Sequence, residues 1–94
     1  MALKAVWSNE AEEQLREAIE YLEANWTNKE IKKLFHRVEK CIANICKNPE
    51  MHKKSERLGN TRECVVSKHY SLFYTYDSSF TYIVVFWNNY KDLN

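Results

Sequence analysis

The residues of this chain that could take part in chemistry are cations and tyrosines in its second half. The cations are Lys53, Lys54, Arg57, Arg62, Lys68, His69 and Lys91, and the tyrosines among them are Tyr70, Tyr82 and Tyr90. Cations hold phosphates and aromatic rings stack on bases, so this combination suits RNA, or a target that is itself bound to nucleic acid. The alternative is a set of solubilising cations around a sheet whose tyrosines belong to the core.

Other kinds of site have little support in the sequence. The chain contains no Gly-rich phosphate loop, no HExxH and no CxxC, which are the motifs that would indicate nucleotide, zinc or redox chemistry. The three histidines, His36, His52 and His69, have no partner at the spacing of metal ligands. We therefore expect neither a metal nor a cofactor.

The cysteines and the N-terminus predict a cytoplasmic protein. Cys41 and Cys46 lie five residues apart in a helical pattern, about 140° around the axis, so they cannot bridge each other. With Cys64 they make an odd number, and we expect reduced, partly buried thiols. Residues 1–7 contain no apolar run long enough for a signal peptide. No stretch approaches the roughly 20 apolar residues of a membrane span.

Ninety-four residues predict one domain, spanning residues 1–94, because a second core would not fit. Hydrophobic residues make up 45% of the chain and aromatic residues 14%, which argues against disorder. The net charge of +1 hides an asymmetry: residues 8–26 carry six Glu and one Arg, whereas residues 27–48 carry six Lys or Arg and two Glu. This asymmetry indicates either two distinct binding surfaces or two solvated helix faces that attract each other.

Hydrophobic periodicity predicts a helical hairpin in the first half of the chain. Ser8 or Asn9 offers an N-cap, and Thr27 with Glu30 has the spacing of a capping box. Pro49 ends the second helix. The apolar stripe of the first helix is Ala11, Leu15, Ala18, Ile19, Leu22 and Trp26, and that of the second is Ile31, Leu34, Phe35, Val38, Ile42 and Ile45.

The second half of the chain predicts strands. Residues 3–7 could form a short first strand, and residues 50–61 a surface loop that contains the single glycine, Gly59. Three strands then follow over residues 62–68, 71–76 and 80–87, and the last should be central because it is almost continuously apolar. Residues 77–79, Asp-Ser-Ser, have the chemistry of a hairpin turn between the last two strands. The expected fold is α+β: a short N-terminal strand, an antiparallel helical hairpin and an antiparallel three-strand meander. The expected core is Leu15, Ile19, Leu22, Leu34, Phe35, Val38, Ile42, Leu72, Tyr74, Val84 and Phe86.

Four segments, in order, resemble the RelE/ParE superfamily of bacterial toxins. Residues 18–26 resemble the first helix of ParE-type members, and residues 38–49 resemble the second helix with its proline stop. Arg62 followed by residues 70–74 is similar to the arginine strand and the Tyr-Arg-Leu-x-Tyr strand of the superfamily. Residues 86–92 are similar to the Phe-Trp-Asp-x-Arg-x-Asp ending of many members.

The resemblance implies the toxin of a type II toxin–antitoxin pair with a cognate antitoxin as partner. Two mechanisms occur on this fold: ParE-like members bind and stall DNA gyrase, and RelE-like members cleave mRNA on the ribosome. If the chain is a ribonuclease, the resemblance makes Arg62, Lys91 and Tyr90 the catalytic residues. The residues expected to bind antitoxin or target are Lys53, Lys54, Arg57, Lys68 and His69.

The chain departs from the ribonuclease pattern at three positions. Ser71 and Tyr90 stand where the superfamily motifs have arginines, and Cys64 stands about where a second lysine would lie. Loss of a cation that contacts the reacting phosphate costs on the order of 10²–10³ in rate, although Arg62 and Lys91 could compensate in part. The sequence therefore favours ParE-like inhibition of gyrase. An mRNA endoribonuclease and a diverged member that only binds its antitoxin are the alternatives.

Overall fold

The computed structural model describes residues 2–90 and confirms the α+β fold. Its elements are β1 (Lys4–Trp7), α1 (Asn9–Asn25), α2 (Asn28–Lys47), β2 (Arg62–Val65), β3 (Tyr70–Tyr76) and β4 (Phe80–Asn88). The two helices form one layer, and the strands form the other, a four-stranded sheet in the order β1-β4-β3-β2. β1 pairs in parallel with β4, whereas β2, β3 and β4 form the predicted antiparallel meander. β4 is central, as its continuous apolar sequence predicted.

The helical hairpin begins and ends where the sequence places it. Ser8 is the N-cap of α1, since its hydroxyl oxygen accepts a hydrogen bond from the amide of Ala11 at 2.9 Å. Thr27 precedes α2, but its side chain makes no capping hydrogen bond, so the predicted capping box is wrong in its contacts. After α2, the amide of Asn48 donates to the carbonyl of Asn44 at 2.9 Å, and Pro49 follows.

β2 is shorter than the predicted strand over residues 62–68. It ends at Val65, because the amides of Val66 and Ser67 both donate to the carbonyl of Tyr70 at 3.0 Å and close a tight turn. The next turn has the predicted hairpin chemistry: Asp77 Oδ1 accepts hydrogen bonds from the amides of Ser79 and Phe80, both at 2.8 Å. These bonds lower the pKa of Asp77 below its ordinary value.

The core lies between the helices and the face of the sheet that we call the inner face. It contains Ala11, Ala18, Leu34, Val38, Ile45, Leu72, Tyr74, Ile83 and Phe86, all of which are buried. The expected core residues Leu15, Ile19, Leu22, Ile42 and Val84 are half-buried. Phe35 is 41% exposed, so its predicted burial is wrong. The buried stripe of α2 follows Leu34, Val38, Cys41 and Ile45, and Phe35 lies about 100° around the helix from Leu34.

A register shift interrupts the pairing of β3 with β4. Phe73 pairs with Val85 and Tyr74 with Ile83, which leaves Val84 as the extra residue of a β-bulge. Helix α1 binds the backbone groups beside this bulge: the hydroxyl of Ser8 donates to the carbonyl of Val84 at 2.7 Å, and the amide of Phe86 donates to Gln14 Oε1 at 2.8 Å. Two side chains of the helical layer therefore hold the irregular point of the central strand.

The bulge leads to a stability prediction for Gln14. Replacing Gln14 with Met keeps the length of the side chain but removes the acceptor of the Phe86 amide, and an unpaired buried amide costs about 1–3 kcal/mol. Urea unfolding should show a loss of this size. Gln14→Glu keeps an acceptor oxygen and is the matched control, which should lose less. Equal stability of the Met variant and the parent would contradict the role assigned to Gln14.

Neither helix within residues 2–90 is both long enough and apolar enough to cross a bilayer.

Candidate functional site

The structure separates the predicted site residues into three places. Lys53, Lys54 and Arg62 lie along the loop that follows α2, and Arg57 reaches the outer face of the sheet, which is the face turned away from the helices. Lys68, His69 and Tyr90 lie together at the turn between β2 and β3 and at the end of β4. Lys91 lies outside the described residues. Asn89 connects the last two places, because its Oδ1 lies 3.4 Å from Arg57 Nη1 and its amide donates to the carbonyl of His69 at 2.7 Å.

Arg62 is bound to the loop after α2. Its Nη1 donates to the carbonyl of His52 at 2.6 Å and to that of Glu50 at 3.3 Å, and its guanidinium lies 5.9 Å from the ring centre of Tyr76. A bridge between Lys54 and Arg62 adds the loop to the edge of β2. Arg62 therefore holds residues 50–54 against the sheet.

Tyr74 and His52 also hold the loop that follows α2 against the sheet. The hydroxyl of Tyr74 donates to the carbonyl of Pro49 at 2.6 Å, and burial raises the pKa of Tyr74 to about 12, so the phenol stays protonated. The rings of His52 and Tyr74 meet edge to face at 6.2 Å. His52 Nε2 is buried without a hydrogen-bond partner, and burial lowers the pKa of His52. The imidazole is therefore held in its neutral form.

Arg57 is the predicted site cation that lies on the outer face. Its guanidinium lies 5.6 Å from the ring centre of Phe73, which is fully buried. Nη1 of Arg57 also lies 3.4 Å from Glu63 Oε2 and 3.4 Å from Asn89 Oδ1. The arginine covers an aromatic ring and is paired with a carboxylate, which reduces its ability to hold a phosphate.

Ser71 also lies on the outer face, in β3 between Val65 of β2 and Trp87 of β4. It is fully buried, and its hydroxyl has no hydrogen-bond partner. The position where superfamily ribonucleases carry an arginine thus supplies no charge in this chain. Beside it, Val65 is 63% exposed, so this part of the outer face is apolar.

The turn residues border a groove of about 390 Å³ at the end of the helical hairpin. We call it the hairpin groove; it is lined by Tyr21, Leu22, Trp26, Glu30, His69, Tyr70, Asn88 and Tyr90. The rings of His69 and Tyr90 lie 4.9 Å apart, and the amide of Asn89 donates to the carbonyl of His69 at 2.7 Å. Lys33, Arg37 and Lys68 line the adjoining depression, so aromatic and cationic side chains meet here.

Sequence reasoning missed the exposed aromatics of this groove. Trp26 was assigned to the apolar stripe of α1, yet it is 59% exposed, and Tyr21 is 56% exposed. Trp26 follows the last residue of α1 and has an extended backbone, so the helical period no longer positions its side chain. The position of Trp26 directly before Thr27, the N-cap residue of α2, was the feature of the sequence that could have indicated its exposure.

The charged surfaces of the two helices remain separate. Arg16 pairs with Glu13 and Glu20 within α1, and no ion pair among residues 2–90 joins α1 to α2. Lys29, Lys32, Lys33, His36 and Arg37 line a shallow depression on α2. The charge asymmetry indicated either two distinct binding surfaces or two helix faces that attract each other. The attraction is supported by no direct contact between charged residues of the two helices.

Among residues 2–90, no three His, Cys, Asp or Glu side chains come together as metal ligands.

The contacts of Arg62 lead to a second prediction. Arg62→Ala should lower the free energy of unfolding by about 1–3 kcal/mol, since hydrogen bonds from a charged donor contribute roughly this much. Arg62→Lys keeps the charge but has a shorter side chain and no planar guanidinium to lie beside the Tyr76 ring, so it should recover only part of the loss. Thermal melting of the three proteins measures this. An Ala variant that melts with the parent would show that the loop does not depend on Arg62.

The third prediction concerns pH. The pKa of His52 is lower in the folded state than in the unfolded chain, so protons bind preferentially to the unfolded chain below about pH 6.5. The stability that neutral His52 contributes is therefore fully present above about pH 6.5 and is lost as the pH falls toward the lower pKa of the folded state. Urea unfolding between pH 5 and 8 should show the decrease, and His52→Gln should reduce it. His36→Gln, at an exposed position of α2, should leave it unchanged; a His52 variant with the parent's pH profile would exclude this explanation.

Comparisons with known proteins agree with this architecture. One solved structure, "The structure of YoeB dimer from Staphylococcus aureus", matches with a TM-score of 0.64 over 96% of this chain and 100% of that chain, at 20% sequence identity; it supports the fold. A search of curated proteins gave no match. A family model described as "ParE toxin of type II toxin-antitoxin system, parDE" matches residues 5–89, which includes every helix and strand described above except the first residue of β1. The chain therefore belongs to the ParE toxin family of type II toxin–antitoxin systems, within the RelE/ParE superfamily.

Proposed function

We propose that this toxin inhibits growth by binding DNA gyrase and does not cleave RNA. A toxin of this family acts together with an antitoxin, and we place both partners in the cytoplasm. The observation that carries the proposal is the state of the cations that RNA cleavage would require. Arg62 is bound to two loop carbonyls, and Ser71 is a buried neutral residue.

RNA cleavage by such a toxin requires cations close to one phosphate. The in-line attack of a 2′-oxygen builds negative charge, and preorganised cations stabilise it by several kcal/mol. Arg62 is bound to the carbonyls of Glu50 and His52. Arg57 lies next to Asn89, close to the turn that carries Lys68, but it is already paired with Glu63. A protein that acts by binding needs no such convergence, so this arrangement favours a binder.

The hairpin groove is the surface that we assign to the target. Tyr21 and Trp26 are more than half exposed, and Arg37 lies in the adjoining depression. Trp, Tyr and Arg are the residue types that dominate binding energy at protein interfaces, because they bury a large area while losing little conformational entropy. The groove combines these anchors with the cations of α2, which suits an acidic protein surface.

One observation favours the alternative, an mRNA endoribonuclease. His69 and Tyr90 lie 4.9 Å apart and are both exposed, so an imidazole and a phenol could act as general acid and base on a nucleic acid in the groove. Lys68 is the neighbouring cation. This arrangement would place the reaction in the hairpin groove and not beside Arg62.

The experiment follows message integrity and gyrase supercoiling together after expression without antitoxin. We expect slowed supercoiling and intact message. Trp26→Ala should weaken inhibition about tenfold or more, as expected for an interface anchor. Phe80→Ala is the matched control, because Phe80 is a partly exposed aromatic on β4 that does not line the groove. It should inhibit as the parent does.

The other outcomes identify the alternatives. Codon-phased cuts in translated message, lost on His69→Ala or Tyr90→Phe, would overturn the proposal and establish the ribonuclease. Intact message together with normal supercoiling would also overturn it and leave a protein that only binds its antitoxin. Equal loss of inhibition in the Trp26 and Phe80 variants would exclude the hairpin groove as the gyrase surface.

A further inference from the structure

Two cysteines that are distant in the sequence meet in the core. Cys41 lies on α2 and Cys64 on β2, and their Sγ atoms are 2.7 Å apart. This separation is only about 0.7 Å longer than a covalent S–S bond. Cys41 Sγ also lies 3.7 Å from the carbonyl oxygen of Val65, so the thiol is held against the edge strand. The pair connects the helical layer to the sheet.

We propose that Cys41 and Cys64 are a redox site, which closes to an intramolecular disulfide without rearrangement of the fold. Sequence reasoning predicted reduced thiols because it considered the pair in one helix, Cys41 and Cys46. The pair that meets in space is 23 residues apart. It joins two elements whose positions are set by the core, so little movement is needed to form the bond.

The third cysteine is an internal control. Cys46 is buried, like the other two, but it lies about 140° around α2 from Cys41. Its carbonyl accepts a hydrogen bond from the amide of Leu3 at 2.8 Å, which places this end of the helix beside the N-terminal segment. Cys46 therefore has the same chemistry and a similar burial, but a different neighbour.

The two sulfurs of the pair differ in a way that assigns their roles. Cys41 is 8% exposed and Cys64 is 2% exposed. The hydrogen bond between them lowers the pKa of Cys41 and raises that of Cys64. Because Cys41 is the more exposed of the two, we assign it as the thiolate that reacts first and Cys64 as the resolving thiol.

A low-molecular-weight disulfide such as oxidised glutathione supplies the oxidant. The Cys41 thiolate attacks one of its sulfurs, forms a mixed disulfide and expels one glutathione thiolate. Cys64, as it loses its proton, then attacks Cys41 Sγ and expels the second glutathione thiolate. The protein loses two electrons and two protons, and the two glutathione molecules that leave are reduced thiols.

The bridge would change stability. It closes a loop that contains residues 48–61, a segment without a helix or a strand, and it restricts the unfolded chain most in this region. We expect the melting temperature of the oxidised protein to rise by about 5 °C or more. Cys64 lies in β2 with Glu63 and with Arg62, which binds the loop after α2. The bridge would therefore also fix this strand to α2.

The test equilibrates the full chain in glutathione buffers of graded potential, then traps free thiols and measures mass and melting temperature. The bond is mapped in the Cys46→Ala variant, because digestion with a protease that cleaves after lysine and arginine leaves Cys41 and Cys46 of the parent on one peptide. We expect a monomer that is about 2 Da lighter, with residues 41–47 linked to residues 63–68. The parent and Cys46→Ala should both gain thermal stability on oxidation.

Cys41→Ala and Cys64→Ala are the matched variants, each with one partner removed. Circular dichroism confirms that each is folded. Neither should form the bond or gain stability in the oxidising buffer. The proposal is overturned if folded Cys46→Ala protein keeps both thiols in the most oxidising buffer. It is equally overturned if the bond forms between two molecules, or if folded Cys41→Ala protein, which retains Cys46, links Cys46 to Cys64.

Discussion

The structure depends on the contact between α1 and the bulge of β4. β4 is bonded to β1 on one side and to β3 on the other, so any irregularity in it affects the whole sheet. The bulge at Val84 takes backbone groups out of the regular ladder, and a buried backbone group without a partner is costly. Ser8 and Gln14 supply the missing partners. The first helix is thereby held in register with the central strand, and the hairpin that continues from it is positioned over the core.

The position of the hairpin decides what each cation can do. With α2 packed on the sheet, the segment after Pro49 must return along the edge of β2, and the hydroxyl of Tyr74 and the guanidinium of Arg62 bind its carbonyls. The same segment continues to the outer face, where Arg57 covers Phe73. Arg57 and Arg62, which in the sequence resembled phosphate ligands, thus hold the loop after α2 against the sheet. This use of arginine is physically reasonable, since a planar group with several donors can bind carbonyls and lie over a ring at the same time.

With the hairpin groove as the proposed binding surface, binding and stability are assigned to separate regions of the protein. The loop, β2 and the paired cysteines form one region, in which the polar contacts are made within the protein. The hairpin groove is the other region, where Trp26, Tyr21 and Tyr90 remain largely exposed. A contiguous patch of large exposed aromatics marks a surface that a partner covers. A toxin that must be bound by an antitoxin and must also bind its target has reason to keep such a surface.

The sequence by itself determined the order of the elements and the family. Apolar periodicity placed both helices, the nearly continuous apolar run from Phe80 identified the central strand, and the chemistry of Asp77 predicted the hairpin. These features are local, because backbone preference and side-chain spacing act within a few residues. Within the helices, periodicity failed at Phe35 and Trp26, where the direction of packing and the end of a helix decide exposure.

Only the tertiary structure decided which side chains meet. The cations that appeared as one cluster along the chain lie on different faces, since successive residues of a strand point to opposite sides and a loop can cross an edge. The contact of Cys41 with Cys64 and that of Gln14 with Phe86 depend on elements that are far apart in the chain. Such contacts follow from the packing of helices on a sheet, and spacing in the sequence does not encode them locally.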